Sequence, residues 1–153
     1  MAIDVLNRQR LVRIDKQRIA SLADATLRAL NKPERALAVV FIRDPAMQNL
    51  NLKFRGKDEA TDVLSFPLEY DSRVAADDNP RDGLARKYVG DVVVSTDTAR
   101  RQAGEAGHSL DREIDELVIH GVLHLCGYDH ETDNGEMNRL EVKLRHELLD
   151  QDA

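Results

Sequence analysis

Three of the five histidines in this sequence obey one geometric rule. The stretch HGVLHLCGYDH over 120–130 sets His120 and His124 four residues apart. On a helix that spacing puts both imidazoles on one face with Cβ atoms about 6 Å apart, so a single cation can bridge them. Gly127 suits a left-handed helix end, after which the chain turns back and brings His130 toward the same point. Three neutral nitrogen ligands leave one position of a tetrahedral zinc ion open, the mark of a catalytic rather than a structural site. Nickel, cobalt or copper would also accept three imidazoles. The competing reading is chance spacing of unrelated histidines.

The H-x3-H-x5-H spacing, glycine included, is similar to the long zinc signature of metzincin peptidases. Those enzymes follow the first histidine with a glutamate general base, and here that position is Gly121. Peptide hydrolysis is therefore disfavoured, and water activation falls to the metal, with Asp129 a possible helper. Gly121 has two readings, room for a bulky substrate or close helix packing. Cys126 reads as a small buried hydrophobe rather than a fourth ligand that would close the site. Glu116, one turn before His120, is either an acceptor for its ring or an exposed carboxylate. His146 reads as a partner for a helix dipole, and His108 carries no assignment.

Positioning these groups requires a folded core. At 153 residues the chain suits one domain over 1–153, and 42% hydrophobic with 33% charged residues excludes a disordered or collagen-like chain. A single cysteine rules out an internal disulfide and a zinc site of several thiolates. The N-terminus lacks the apolar stretch of a signal peptide and no run approaches a membrane span, so a soluble, reducing compartment such as the cytoplasm is expected, with no membrane partner. Net charge is -6, but residues 1–57 carry +7 and residues 58–153 carry -13. A basic first third can present an anion-binding face on an acidic protein.

Apolar periodicity predicts the elements. Residues 3–7 read as a strand, and Asp15 caps a helix to about Leu30. The continuous run ALAVVFI (36–42) predicts a strand covered on both faces. Asp44-Pro45 opens a helix that breaks at Arg55-Gly56-Lys57. TDVLSFPL predicts a strand whose Pro67 belongs at an edge or an end, and YVGDVVVS (88–95) predicts the last strand. Between them, 69–88 reads as a loop. Ser95 is a candidate cap for the following helix, Ser109 caps a central helix over the two histidines, and Asp133 with Glu136 has capping-box spacing for a final helix. Strands interleaved with helices predict an α/β or α+β fold with a small, mostly parallel sheet.

The segments NLNLKFRGKDEATDVLSFP (49–67), GDVVVS (90–95) and HGVLHLCGYDH (120–130) resemble, in order and spacing, the YbeY family of bacterial endoribonucleases. The resemblance covers most of the chain. It implies a mixed four-stranded sheet flanked by about five or six helices, and one zinc ion per chain held by His120, His124 and His130. It further implies cleavage of single-stranded RNA, 16S rRNA 3′-end maturation and a part in ribosome quality control. The implied partners are an rRNA precursor, the small ribosomal subunit and its assembly proteins.

Arg55 falls on the arginine of the family motif L-N-x-x-[YF]-R-G and is the implied catalytic residue. The tyrosine frequent in that motif is Phe54 here, so any hydroxyl role at that position is absent. A guanidinium suits the task, since it holds a phosphodiester oxygen bidentately and stabilises charge at a five-coordinate phosphorus. Lys53 and Lys57 are candidate RNA-binding residues, with solvated surface positions as the alternative. Ser65 either meets substrate or simply faces away from the core. Two rival functions remain at this point: a non-catalytic ribosome-assembly factor with a structural metal, and a metal-dependent hydrolase of another substrate.

Overall fold

The computed structural model describes residues 3–68, 87–129 and 131–150. Asp15 stays extended and its carboxylate accepts the Arg18 amide at 3.1 Å, satisfying one of the amides a helix start leaves open. Helix α1 (Lys16–Ala29) then buries Ile19, Ala23 and Leu27, the residues at i, i+4 and i+8.

The strands β1 (Ile3–Asn7), β2 (Arg35–Ile42), β3 (Val63–Pro67) and β4 (Lys87–Ser95) form one sheet in the order β1-β2-β4-β3. β1, β2 and β4 are parallel, while β3 runs antiparallel to β4 with Leu64 opposite Val93. This is the mixed, mostly parallel sheet expected of the α/β class. Pro67 ends the edge strand, where its missing N–H costs no ladder bond. Of the loop expected over 69–88, Lys87 and Tyr88 already belong to β4, and the remainder lies outside the described residues.

On one face of the sheet, Leu37, Val39 and Phe41 of β2 and Val92 and Val94 of β4 meet α1 and the central helix α4 (Leu110–Leu125), beside α3 (Thr96–Ala106). From α4 come Ile114, Leu117, Val118 and Val122, each contributing about 1.5–3 kcal/mol by leaving water. Val118→Asp would place an unpaired carboxylate in this layer and is the single change expected to break it. The other side of α4 turns Ile119 and Leu123 onto Met137 and Leu144 of α5 (Glu136–Leu149). The histidine-bearing helix is thus covered from both sides.

The described residues cover the second face of the sheet only in part. Met47 of α2 (Asp44–Arg55) packs on Ile42, Leu64 and Val93, but Val40 is half-buried and Leu6, Phe54 and Tyr88 are exposed. The apolar run in β2 predicts cover on both faces; among the described residues α2 alone lies on this one, and it reaches only one end of that surface.

Two helix starts differ from expectation. Ser95 makes no cap bond to α3; its hydroxyl donates to Asp44 at 2.5 Å, which turns the side chain toward α2. The Asp133 and Glu136 carboxylates do accept free amides, Asp133 from Gly135 and Met137 and Glu136 from Asn134. The helix itself begins later than a capping box would place it, because Gly135 turns the chain at φ +92°. None of the described helices is long and apolar enough to cross a membrane.

Candidate active site

Helix α4 ends in a Schellman closure. The Gly127 amide donates to the His124 carbonyl at 3.0 Å and the Tyr128 amide to the Leu123 carbonyl at 3.1 Å, with Gly127 at φ +96°. The chain therefore leaves the helix directly beyond the two histidines. Their rings stand edge to face with centroids 4.6 Å apart, and Nε2 of His124 lies 3.1 Å from Nε2 of His120. Two nitrogens bound at about 2.0–2.1 Å to one tetrahedral zinc stand roughly 3.3 Å apart, so the pair fits a shared ion. His130, the third expected ligand, lies outside the described residues, and among those described no three His, Cys, Asp or Glu side chains group as a metal site.

His120 is held from behind. Its Nδ1 hydrogen-bonds Glu141 Oε1 on α5, and Glu141 is buried, with 7% of the residue exposed. Burial pushes the Glu141 carboxyl up, yet the His120 hydrogen bond and the positive surroundings that include Arg145 outweigh it and leave the group below its ordinary value. The other oxygen, Oε2, accepts from Arg145 Nη2 at 3.0 Å. Glu116, the expected acceptor for His120, goes instead to Arg112 Nε at 2.7 Å and Arg145 Nη1 at 3.4 Å. Glu141 was missed by sequence reasoning, although its position carried a signal: a carboxylate at 141 sits within the buried stripe of Met137 and Leu144.

The imidazoles open onto a cavity of about 520 Å³ between β3 and the end of α4, and Arg55 lines the same cavity. Arg55 is the last residue of α2, fixed by Gly56 at φ +71° and by buried Asn51, whose amide donates to the Glu59 carbonyl at 2.8 Å. Among the described residues its guanidinium has no hydrogen-bond or ion-pair partner, so it is available to an anion. Asp62, Asp129 and Glu131 line the cavity too, three carboxylates against one guanidinium. A phosphate would be repelled by that wall unless a cation sat among the groups.

A sequence profile of the family Endoribonuclease YbeY matches residues 4–149. The chain belongs to the YbeY endoribonuclease family. It is 41% identical over 151 residues to the Endoribonuclease YbeY of Alkaliphilus metalliredigens, covering 93% of this chain and 92% of that protein. With the Endoribonuclease YbeY of Nautilia profundicola it shares 45% identity over 115 residues, 75% of this chain and 73% of that one. The solution structure of a Thermotoga maritima protein superposes with a TM-score of 0.57 at 28% identity, over 95% of this chain and 87% of that chain. YbeY membership supports an endoribonuclease role.

Of the remaining candidates in this YbeY chain, Lys53 and Lys57 are exposed and neither lines the cavity; Lys53 Nζ stands 5.3 Å from the centroid of the Phe54 ring. Ser65 does line it, but its hydroxyl donates to the Gly121 carbonyl at 3.0 Å and ties β3 to α4. Cys126 packs half-buried against the main core, and burial pushes its thiol up. It stands outside the cavity lining, as a small hydrophobe should. His108 hydrogen-bonds Glu113 Oε1 at 2.7 Å.

Proposed function

We propose that this chain is a zinc-dependent, single-strand-specific endoribonuclease that matures the 3′ end of 16S rRNA and serves ribosome quality control in the cytoplasm. The observation that carries the reading is the convergence of Arg55, His120 and His124 on one cavity. The ribosomal destination, with the small subunit and its assembly proteins as partners, is supported by the YbeY likeness of the two long motifs.

His120, His124 and His130 would hold the zinc ion. When bound, zinc supplies Lewis acidity toward a phosphate oxygen or an attacking hydroxyl. Arg55 grips the scissile phosphate through paired N–H donors and stabilises the charge that grows on its oxygens. Glu141 keeps the His120 ring in place. Lys53 and Lys57, flanking Arg55 on the open surface, add attraction for neighbouring phosphates.

The deciding experiment measures zinc content and cleavage of single-stranded RNA for the wild type, His120→Ala and Arg55→Ala. The wild type should hold stoichiometric zinc and cut single strands in preference to duplex. His120→Ala should lose both zinc and cleavage, and Arg55→Ala should keep zinc and lose cleavage. A wild type that neither takes up zinc on reconstitution nor cuts RNA would overturn the reading in favour of a non-catalytic assembly factor.

A further inference from the structure

We infer that Glu141 is the positioning residue of this site: it accepts the Nδ1–H of His120, fixing the tautomer that leaves the Nε2 lone pair aimed beside Nε2 of His124. The inference rests on the reading of His120 as a metal ligand and adds a residue that the sequence alone does not single out.

A neutral imidazole has one N–H, so whichever nitrogen donates leaves the other as the acceptor or ligand. An acceptor-only carboxylate on Nδ1 therefore decides the state of Nε2. Glutamate is rarely buried unless paired, and Glu141 is buried with both oxygens engaged, Oε1 by His120 and Oε2 by Arg145. Arg145 in turn bridges to Glu116 at 3.4 Å, and Glu116 is held by Arg112 at 2.7 Å. The chain of contacts starts on α4 at His120, crosses to α5, and returns to α4 at Glu116. The carboxylate is thereby fixed against rotation, and the ring it holds cannot swing out of line with His124. Carboxylate support of this kind is worth about 10–100-fold in metal affinity where it has been removed from other sites.

The test uses the whole chain, with zinc affinity read by competition against a chromophoric chelator and the His120 ring nitrogens read by 15N NMR of metal-free protein. Wild type should carry the His120 proton on Nδ1. Glu141→Leu should bind zinc about 10–100-fold more weakly. Glu141→Gln should remain close to wild type in zinc affinity, because its amide oxygen still accepts from Nδ1, while melting lower through loss of the Arg145 ion pair. That split separates positioning from mere stabilisation of the α4–α5 seam, which would move both variants together. A proton found on Nε2 in wild type, or unchanged zinc affinity in a folded Glu141→Leu, overturns the inference. Should Glu141→Leu not fold, the wild-type tautomer and Glu141→Gln decide. His120→Ala distinguishes the two levels: full zinc affinity there removes the ligand reading, whereas its loss combined with a normal Glu141→Leu removes only the role of Glu141.

Discussion

Gly121 lies so close to Val92 that a Cβ on it would stand 2.4 Å from the valine Cγ1 and 2.9 Å from Cγ2. Val92 is fully buried in β4 and has nowhere to move. The residue after the first histidine is therefore glycine for packing: it lets α4 settle against the sheet, and a glutamate base could not be accommodated there.

Gly121→Ala should accordingly destabilise the protein despite a gain in helix propensity of about 1 kcal/mol. Overpacking a close-packed layer costs about 1–3 kcal/mol, leaving a net loss of up to roughly 2 kcal/mol in urea unfolding. Adding Val92→Ala should recover part of it by making room. A Gly121→Ala protein more stable than wild type would contradict the close approach of helix and sheet.

Arg55→Lys keeps the positive charge but loses the planar fork. If the guanidinium acts by bidentate grip, cleavage should fall about 10²–10³-fold in Arg55→Ala and most of that fall should persist in Arg55→Lys, with zinc content unchanged in both. Single-turnover cleavage of a short single-stranded RNA measures this. Full rescue by lysine would show that charge alone suffices.

Lys53 and Lys57 sit on the open surface and off the cavity wall. Their contribution to RNA should be electrostatic and independent of sequence. Each substitution to alanine should flatten the slope of log affinity against log salt by about 0.7 for every phosphate that the lysine had neutralised. Identical slopes for wild type and the double variant would return both lysines to the solvated surface.

Asp44 should contribute to the loss of stability in acid. Burial raises its carboxyl, but hydrogen bonds from Ser95, Thr98 and Arg101, with the Arg101 charge, outweigh burial and hold it below its usual 3.8. A carboxyl depressed in the folded state contributes stability above its unfolded value, and that contribution is lost as pH falls through the folded one. Wild type should lose stability more steeply than Asp44→Asn as pH falls below about 4. Melting temperature against pH for both proteins reads the difference; parallel curves would show that Asp44 is not the group responsible.

What the sequence makes legible is whatever depends on near neighbours. The i, i+4 pairing of His120 and His124, the Asp15 cap and the Gly127 closure are set by backbone periodicity and local φ, and each lies where the sequence puts it. Interactions that cross between elements are less legible. Glu116 shares a helix face with His120, but two guanidiniums from Arg112 and Arg145 claim it, and the acceptor comes from α5, 21 residues away. Ser95 has the residue type and place of a cap, yet Asp44 takes its hydroxyl across 51 residues of chain. The short reach of α2 over the second face of the sheet has no local signature either, since an apolar strand does not reveal how far a neighbouring helix will extend over it.

Helix α4 is enclosed between the sheet and α5, so its central amides should exchange with solvent only through large, costly openings. Arg55 instead terminates a helix whose last turn, Leu52 to Arg55, is exposed throughout. The two sides of the cavity thus differ in how deeply their backbone is buried. On warming, the turn that carries Arg55 should loosen before the His120–His124 pair does.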